Sequence, residues 1–204
     1  MLSNYLKNKF FSEIDTGIMV EVGSAGPEFL SQSKPFRDIG WRCICVEPNP
    51  KFAQMHRDVG NEIYEYACSY EDKSDVDFYV VDFSIPNDVT FESFSSLGLE
   101  KLESLRDYDK KPNPFTIKVE VKKLDTILEE ANVSKVDCVI IDVEGWEIEA
   151  MKGFTTSKYR PKIIVLECLH ELEKYHEYMK SISYEFVKFD NTTGPNYVYF
   201  NSDY

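Results

Sequence analysis

Two rhythms of apolar and polar positions alternate along this chain. Short, nearly continuous apolar runs recur at residues 17–22 (GIMVEV), 41–47 (WRCICVE), 62–69 (EIYEYACS), 136–145 (VDCVIIDVEG) and 162–168 (KIIVLEC). Runs of that length, rich in β-branched residues, predict strands buried on both faces. Helical spacing fills the gaps. In 26–40, Phe29, Leu30, Phe36 and Ile39 are helix-face candidates, with Pro35 kinking or ending the first part. A second helix, 49–60, stops at Gly60, and others are predicted over 124–133 and 146–154. In 169–182, Leu169, Leu172, Tyr175 and Met179 share one face. Residues 76–82 predict an edge strand, and 115–122 (FTIKVEVK) alternate as a half-exposed strand does. Residues 184–190 and 196–201 predict a closing antiparallel hairpin, and residues 1–16 a short amphipathic lead-in helix.

Buried strands separated by helices imply an α/β fold with a mainly parallel sheet covered on both faces. No repeat or linker divides the chain, so one domain is expected over 17–204. An insertion at 84–114 interrupts the rhythm with Ser, Asp, Asn, Gly and Pro.

Composition narrows the classes. The chain has 204 residues, 43% of them hydrophobic, which is ordinary for a globular domain with a full core. No apolar run approaches the roughly 20 residues of a membrane helix. The N-terminus lacks the features of a secretory signal, so a cytoplasmic location and no membrane partner are expected. The net charge of −13 repels phosphate backbones, so a nucleic-acid partner is not expected. A neutral or cationic small molecule suits such a surface better. The five cysteines, Cys43, Cys45, Cys68, Cys138 and Cys168, all fall in or beside apolar runs. Their odd number and the absence of a C-x-x-C pair predict buried free thiols without zinc or disulfides.

Four predicted strands carry a carboxylate at or near their ends: Glu21, Glu47, Asp142 and Glu167. Desolvating a charge without a partner is costly, and ligands of open α/β sheets bind beyond the carboxyl ends of the strands. The first acid opens the turn Glu21-Val-Gly-Ser-Ala-Gly-Pro27. Gly23 and Gly26, with Ser24 between them, let the backbone turn sharply and approach a ligand. The turn lacks the second glycine of the dinucleotide pattern G-x-G-x-x-G. Glu21 and Glu28 flank the place where a pyrophosphate would sit on a helix N-terminus. A ligand with an ammonium and a sulfonium would be attracted there, which favours S-adenosylmethionine over NAD. Glu47, about 20 residues after the turn, is placed to accept hydrogen bonds from ribose hydroxyls, with Pro48 against the adenine.

The segments EVGSAG (21–26), VEPNP (46–50), YACS (66–69), KKLDTIL (122–128), IIDVEGWEIEAMKGF (140–154) and PKIIVLE (161–167) follow one another as in FkbM-type methyltransferases. The chain resembles that family over about residues 17–200. The glycine turn departs from the family's usual D-V-G-A-N-x-G: Glu21 replaces the aspartate, Ala25 the asparagine and Pro27 the last glycine. Ile140 stands where a lysine is usual. The resemblance implies a Rossmann-like class I methyltransferase fold, with a mostly parallel seven-stranded sheet whose last hairpin is antiparallel. It implies S-adenosylmethionine as cofactor and methylation of a hydroxyl on a sugar, glycan or small metabolite. By the same resemblance Glu21 and Gly23 lie at the methionine end, Glu47 at the ribose, and Ala67, Cys68 and Ser69 near the adenine. Asp142 then sits beside the amino group and the reacting methyl, with Glu144 next to it.

A hydroxyl acceptor must lose a proton. Asp142, Glu144 and His170 are the candidate catalytic groups, and Glu144, Trp146 and Glu167 the candidate acceptor contacts. Phe91, Phe94, Tyr108 and Phe115 of the insertion offer further rings, either for an acceptor or for packing. Asp142, Glu144 and Glu167 carry the hard oxygens Mg²⁺ takes, yet no metal is expected, and no spacing suggests zinc. His56 and His176 are expected on helix surfaces. Two other readings remain open at this point: an NAD(P)-dependent oxidoreductase, and a non-catalytic module that retained the fold.

Overall fold

In a computed structural model the described residues are 2–29, 31–82, 95–98, 113–168, 171–187 and 194–204. The first apolar run forms β1 (Ile18–Val22), buried at every position after Ile18. It lies between β2 (Arg42–Val46) and β7 (Cys138–Ile141), parallel to both. The sheet continues outward through β3 (Glu62–Tyr64) on one side. On the other side come β8 (Ile163–Glu167), β10 (Asn196–Asn201) and β9 (Tyr184–Phe186). The seven strands take the order β3-β2-β1-β7-β8-β10-β9. β10 runs antiparallel to both β8 and β9, so the sheet is parallel up to its closing hairpin.

Alternation along each strand divides the core in two. Val20, Val22, Ile44, Val46, Val139 and Ile141 face one side of the sheet. That side is covered by α4 (Leu124–Glu130), α5 (Glu147–Lys152), α6 (Thr156–Tyr159) and α7 (Leu172–Ser181). Met19, Cys43, Cys138, Ile140 and Val165 face the other side. There Leu2 and Leu6 of α1 (Leu2–Phe10) and Phe36 of α2 (Lys34–Arg37) pack with Trp41. The Trp41 ring lies 5.1 Å from Phe11 and 4.9 Å from Phe36. α3 (Pro50–Asp58) is capped by Asn49, whose side chain accepts from the Lys51 amide. All five cysteines are free and buried.

The structure departs from the sequence expectations in three places. The helix expected over 26–40 shrinks to the four residues of α2, and the chain from Gly23 to Ser33 is irregular where described. Pro27 and Pro35 remove two amide donors, and the Glu21 carboxylate captures the amides of Gln32 and Ser33. The strand expected over 62–69 splits. β3 joins the main sheet, while β4 (Ala67–Cys68) pairs with β6 (Asn113–Lys122). β6 also pairs antiparallel with β5 (Lys73–Asp82), giving a second, three-stranded sheet. Its small core comprises Ala67, Phe78, Val80, Val119 and Val121. Of the insertion expected over 84–114, residues 95–98 and 113–114 are described: Ser96 pairs with Tyr79 beside β5, and Asn113 and Pro114 already belong to β6. Phe91, Phe94 and Tyr108 lie outside the described residues; Phe115 is exposed.

Candidate active site

Register assembles the site. Val22 is level with Val46 on β2 and with Ile141 on β7, and Ile141 is level with Leu166 on β8. The next residue of each strand therefore leaves the same edge of the sheet: Glu47, Gly23, Asp142 and Glu167, in that spatial order. β1 and β7 are also where the strand order reverses, and a crevice opens at such a point. The cavity found there is lined by Gly23, Glu47, Pro48, Ala67, Cys68, Asp142 and Trp146, all expected from the sequence. It is completed by residues that were not expected. Ala25 and Phe52 come from around the glycine turn and α3, Tyr66 and Phe78 from beside and within the second sheet, and Ser95 and Leu97 from the insertion.

Gly23 adopts φ +79°, and a Cβ there would lie 2.8 Å from the Asp142 carbonyl carbon and closer still to its oxygen. Its amide donates to Val46 O at 2.9 Å. The glycine thus lets β1, β2 and β7 end side by side with their loops in contact. Gly26 is different: among the described residues a Cβ there would meet only the Met55 methyl, at 3.7 Å, and Gly26 does not line the cavity. Ser24 is buried and also away from the lining, its hydroxyl unpartnered among the described residues.

Ala25 is the strained point of the turn, at φ +43° without being glycine. Two buried groups hold it. Its amide donates to Glu47 Oε2 at 2.9 Å, and its carbonyl lies 3.0 Å from His56 Nε2. A carbonyl only accepts, so Nε2 carries the proton and Nδ1 accepts from Asn61 Nδ2 at 3.1 Å. His56 is therefore not a surface residue: it is fully buried and its pKa is lowered, chiefly by burial. Asparagine, usual here in the resembling family, tolerates the left-handed region that costs alanine roughly 1–2 kcal/mol. Ala25→Gly is accordingly expected to raise unfolding stability by about 0.5–1 kcal/mol in urea titrations, after the greater chain entropy of glycine is subtracted.

Glu47 is 5% exposed and accepts two amides, Ala25 through Oε2 and Asn49 through Oε1 at 2.8 Å. Burial pushes its pKa up to about 7 against the lowering effect of those amides. Glu21 does not reach the cavity. It sits one rung inside the sheet, level with Cys45 and Ile140. Its carboxylate accepts from Gln32 N at 2.6 Å, Ser33 N at 3.0 Å and Ser31 Oγ at 3.4 Å. Arg37 braces the same loop, donating to Ser33 Oγ and to Pro27 O. Burial raises the Glu21 pKa. Glu21 thus folds the glycine loop rather than facing a ligand, which corrects its expected place at the methionine end.

Asp142, Glu144 and Glu167 do converge, with one carboxyl oxygen of each within 4.8 Å of the others. Asp142 is hydrogen-bonded to Glu167, and its pKa is raised well above the usual range, by burial first and then by the Glu167 and Glu144 charges. Three such oxygens are also the hard donor set a divalent cation takes. Glu144 adopts φ +57° and Gly145 φ +94°, so a tight left-handed turn presents this group. The Glu144 carbonyl accepts from Ser96 Oγ at 3.1 Å, tying the turn to the insertion. Trp146 Nε1 donates to Ser69 Oγ at 3.1 Å, fixing the indole against the β4 side of the cavity. Cys68 lines the wall as an inert thiol, its pKa raised to about 12 by burial. His170 lies outside the described residues. His176, the other expected surface histidine, is half-buried against Phe186, Tyr197 and Tyr199, away from the cavity lining.

A seven-stranded, mostly parallel sheet with its ligand crevice at the ends of β1, β2 and β7 defines a Rossmann-like methyltransferase fold. A family model described as the methyltransferase FkbM domain matches residues 19–186, and the chain belongs to that family. A search of curated proteins gave no match. Among the described residues, no helix is long and apolar enough to cross a membrane.

Proposed function

We propose that this methyltransferase uses S-adenosylmethionine and methylates a hydroxyl oxygen on a sugar, glycan or similarly hydroxylated small metabolite. The observation that carries the cofactor is the charge of the crevice. Its lining includes two acids, Glu47 and Asp142, and among the described lining residues no lysine or arginine. A dinucleotide pyrophosphate has no cation to meet there, whereas a sulfonium and an ammonium are favoured. The lack of a side chain at Gly23 lets the Asp142 backbone close up against the end of β1, so that both residues border the same crevice. These features fit S-adenosylmethionine.

When bound, the cofactor supplies an electrophilic methyl carbon on a positively charged sulfur. Gly23 bounds one side of the nucleoside, Glu47 accepts from the ribose hydroxyls, and Pro48, Phe52, Ala67 and Cys68 form an apolar slot for the adenine. Asp142 places a carboxyl beside the reacting end. Trp146, Ser95 and Leu97 wall the acceptor side, where alignment of the hydroxyl supplies most of the rate. Asp142 is hydrogen-bonded to Glu167, so that pair shares one proton, and the negative charge left on the Asp142, Glu144 and Glu167 group is the acceptor for the hydroxyl proton as the methyl moves from sulfur to oxygen.

Calorimetry tests the cofactor. S-adenosylmethionine and S-adenosylhomocysteine are expected to bind with micromolar Kd, while NAD and NADP give no heat. No binding of either nucleoside at millimolar concentration would overturn the reading. Transfer of labelled methyl to polyhydroxylated acceptors, recovered as an alkali-stable ether, tests the acceptor atom.

A further inference from the structure

Glu147 closes the D-V-E-G-W-E motif, and no role in binding or proton transfer accounts for it. It is 1% exposed, yet it stands three residues from Glu144 and five from Asp142, where another carboxylate adds repulsion. Its oxygens are fully engaged. Oε1 accepts from the amides of Val143 at 3.1 Å and Gly145 at 2.9 Å. Oε2 accepts from Tyr175 Oη at 2.7 Å. The two amides bracket Glu144, the left-handed residue of the turn. Tyr175 belongs to α7, the helix that follows β8, and β8 ends in Glu167.

We propose that Glu147 is the positioning residue of this site: with Tyr175 it pins the turn carrying Asp142 and Glu144 to the helix that follows Glu167, so that the three carboxyls stay together and Asp142 keeps its place in the crevice wall. Asp142 and Glu167 share a hydrogen bond, but the negative charge that remains on the three clustered carboxyls still repels itself. The 143–145 turn, with two successive left-handed residues, has no regular secondary structure to resist that push. A buried acceptor that binds both flanking amides supplies the resistance. One bond to a tyrosine on another element then sets the height of the turn relative to β8. The hydroxyl of Ser96, on the Glu144 carbonyl, holds the same turn from the insertion side. Glu147 touches neither the cavity nor a reacting atom, so it acts only through these contacts.

The proposal rests on the cofactor reading for one of its two tests. Residue-resolved amide exchange on the ligand-free protein is independent of it. E147A is expected to accelerate exchange at Val143 and Gly145 by about tenfold or more, while Val20 and Ile44 in the sheet stay protected. E147Q keeps an acceptor for both amides and can donate to the Tyr175 oxygen, so it is expected to restore protection. Y175F removes only the outer anchor and gives a several-fold acceleration confined to the same turn. In calorimetry with S-adenosylhomocysteine, E147A weakens binding about tenfold or more, and E147Q stays within about threefold of wild type. Unchanged exchange at Val143 and Gly145 in E147A or Y175F overturns the proposal, and so does an E147Q protein as impaired as E147A. Should E147A fail to fold, Y175F and E147Q decide on the same criteria. A wild-type protein that binds no nucleoside removes the cofactor reading and leaves the exchange experiment to judge the pin.

Discussion

Gly23→Ala is expected to abolish nucleoside binding and to destabilise the fold by more than about 3 kcal/mol, while Gly26→Ala leaves both nearly unchanged. Three effects add at Gly23. Its φ of +79° costs an L side chain roughly 1–2 kcal/mol. The new Cβ overlaps the Asp142 backbone carbonyl, which is no flexible side-chain end. That carbonyl cannot retreat freely, because the Asp142 amide donates to Val22 O at 3.0 Å and the β1–β7 ladder continues directly below. Relief must come from parting β1 and β7 at their tips, which opens the crevice where ligand would bind. Gly26 has none of these constraints: among the described residues, the one neighbour within 4 Å of a Cβ there is the flexible end of Met55. Urea unfolding and S-adenosylhomocysteine calorimetry on both variants check this. Equal effects at the two glycines would mean that the turn matters for its flexibility and not for close approach at one point.

The same contrast shows what the sequence could and could not reveal. Apolar runs predict the strands of the main sheet because each is buried on both faces, and a solvent-shielded strand has little choice of residue. They also bring out acids at strand ends, and the register lines up Glu47, Asp142 and Glu167 at one edge. Glu21 falls into the same pattern for another reason. It precedes the last residue of β1, whereas Glu47 and Asp142 follow the last residues of β2 and β7, so Glu21 stays within the ladder and its carboxylate turns to the Ser31–Ser33 loop. That one-residue offset is invisible until strand ends are known. The second sheet is illegible for a related reason: residues 62–69 read as one strand, and the break at Glu65 and Tyr66 follows from where β6 lies, a contact some fifty residues distant. His56 reads as a surface residue because its helix is polar on average, and only the fold brings the Ala25 carbonyl to it. Glu147 stood in the most family-specific motif, but a role made of backbone amides leaves no side-chain signature.

Glu47 is expected to make stability and nucleoside affinity run in opposite directions with pH. A glutamate in the unfolded chain ionises near pH 4.3, whereas burial raises Glu47 in the folded protein to about 7. Between those values the folded state holds a proton that the unfolded state has lost. The stabilisation is therefore complete below about pH 4.5 and is lost as pH rises through 7, at roughly 1.4 kcal/mol per unit, or about 3–4 kcal/mol across the window. Glu21 and Asp142 are raised too and push the wild-type curve the same way, so the diagnostic quantity is the difference between wild type and Glu47→Gln. That difference is expected to shrink between pH 5 and 7 and to be level above. Ligand affinity moves the other way. Ribose hydroxyls donate, and the ionised carboxylate is the better acceptor. The Kd for S-adenosylhomocysteine is thus expected to fall several-fold from pH 5.5 to 7.5 in the wild type, and less in Glu47→Gln. Unfolding titrations and calorimetry over that range measure both slopes. A stability difference that stays flat from pH 5 to 7 would mean that the Ala25 and Asn49 amides outweigh burial. Glu47 would then already be ionised at pH 5, and the crevice would carry a fixed negative charge in place of one that titrates with the ligand.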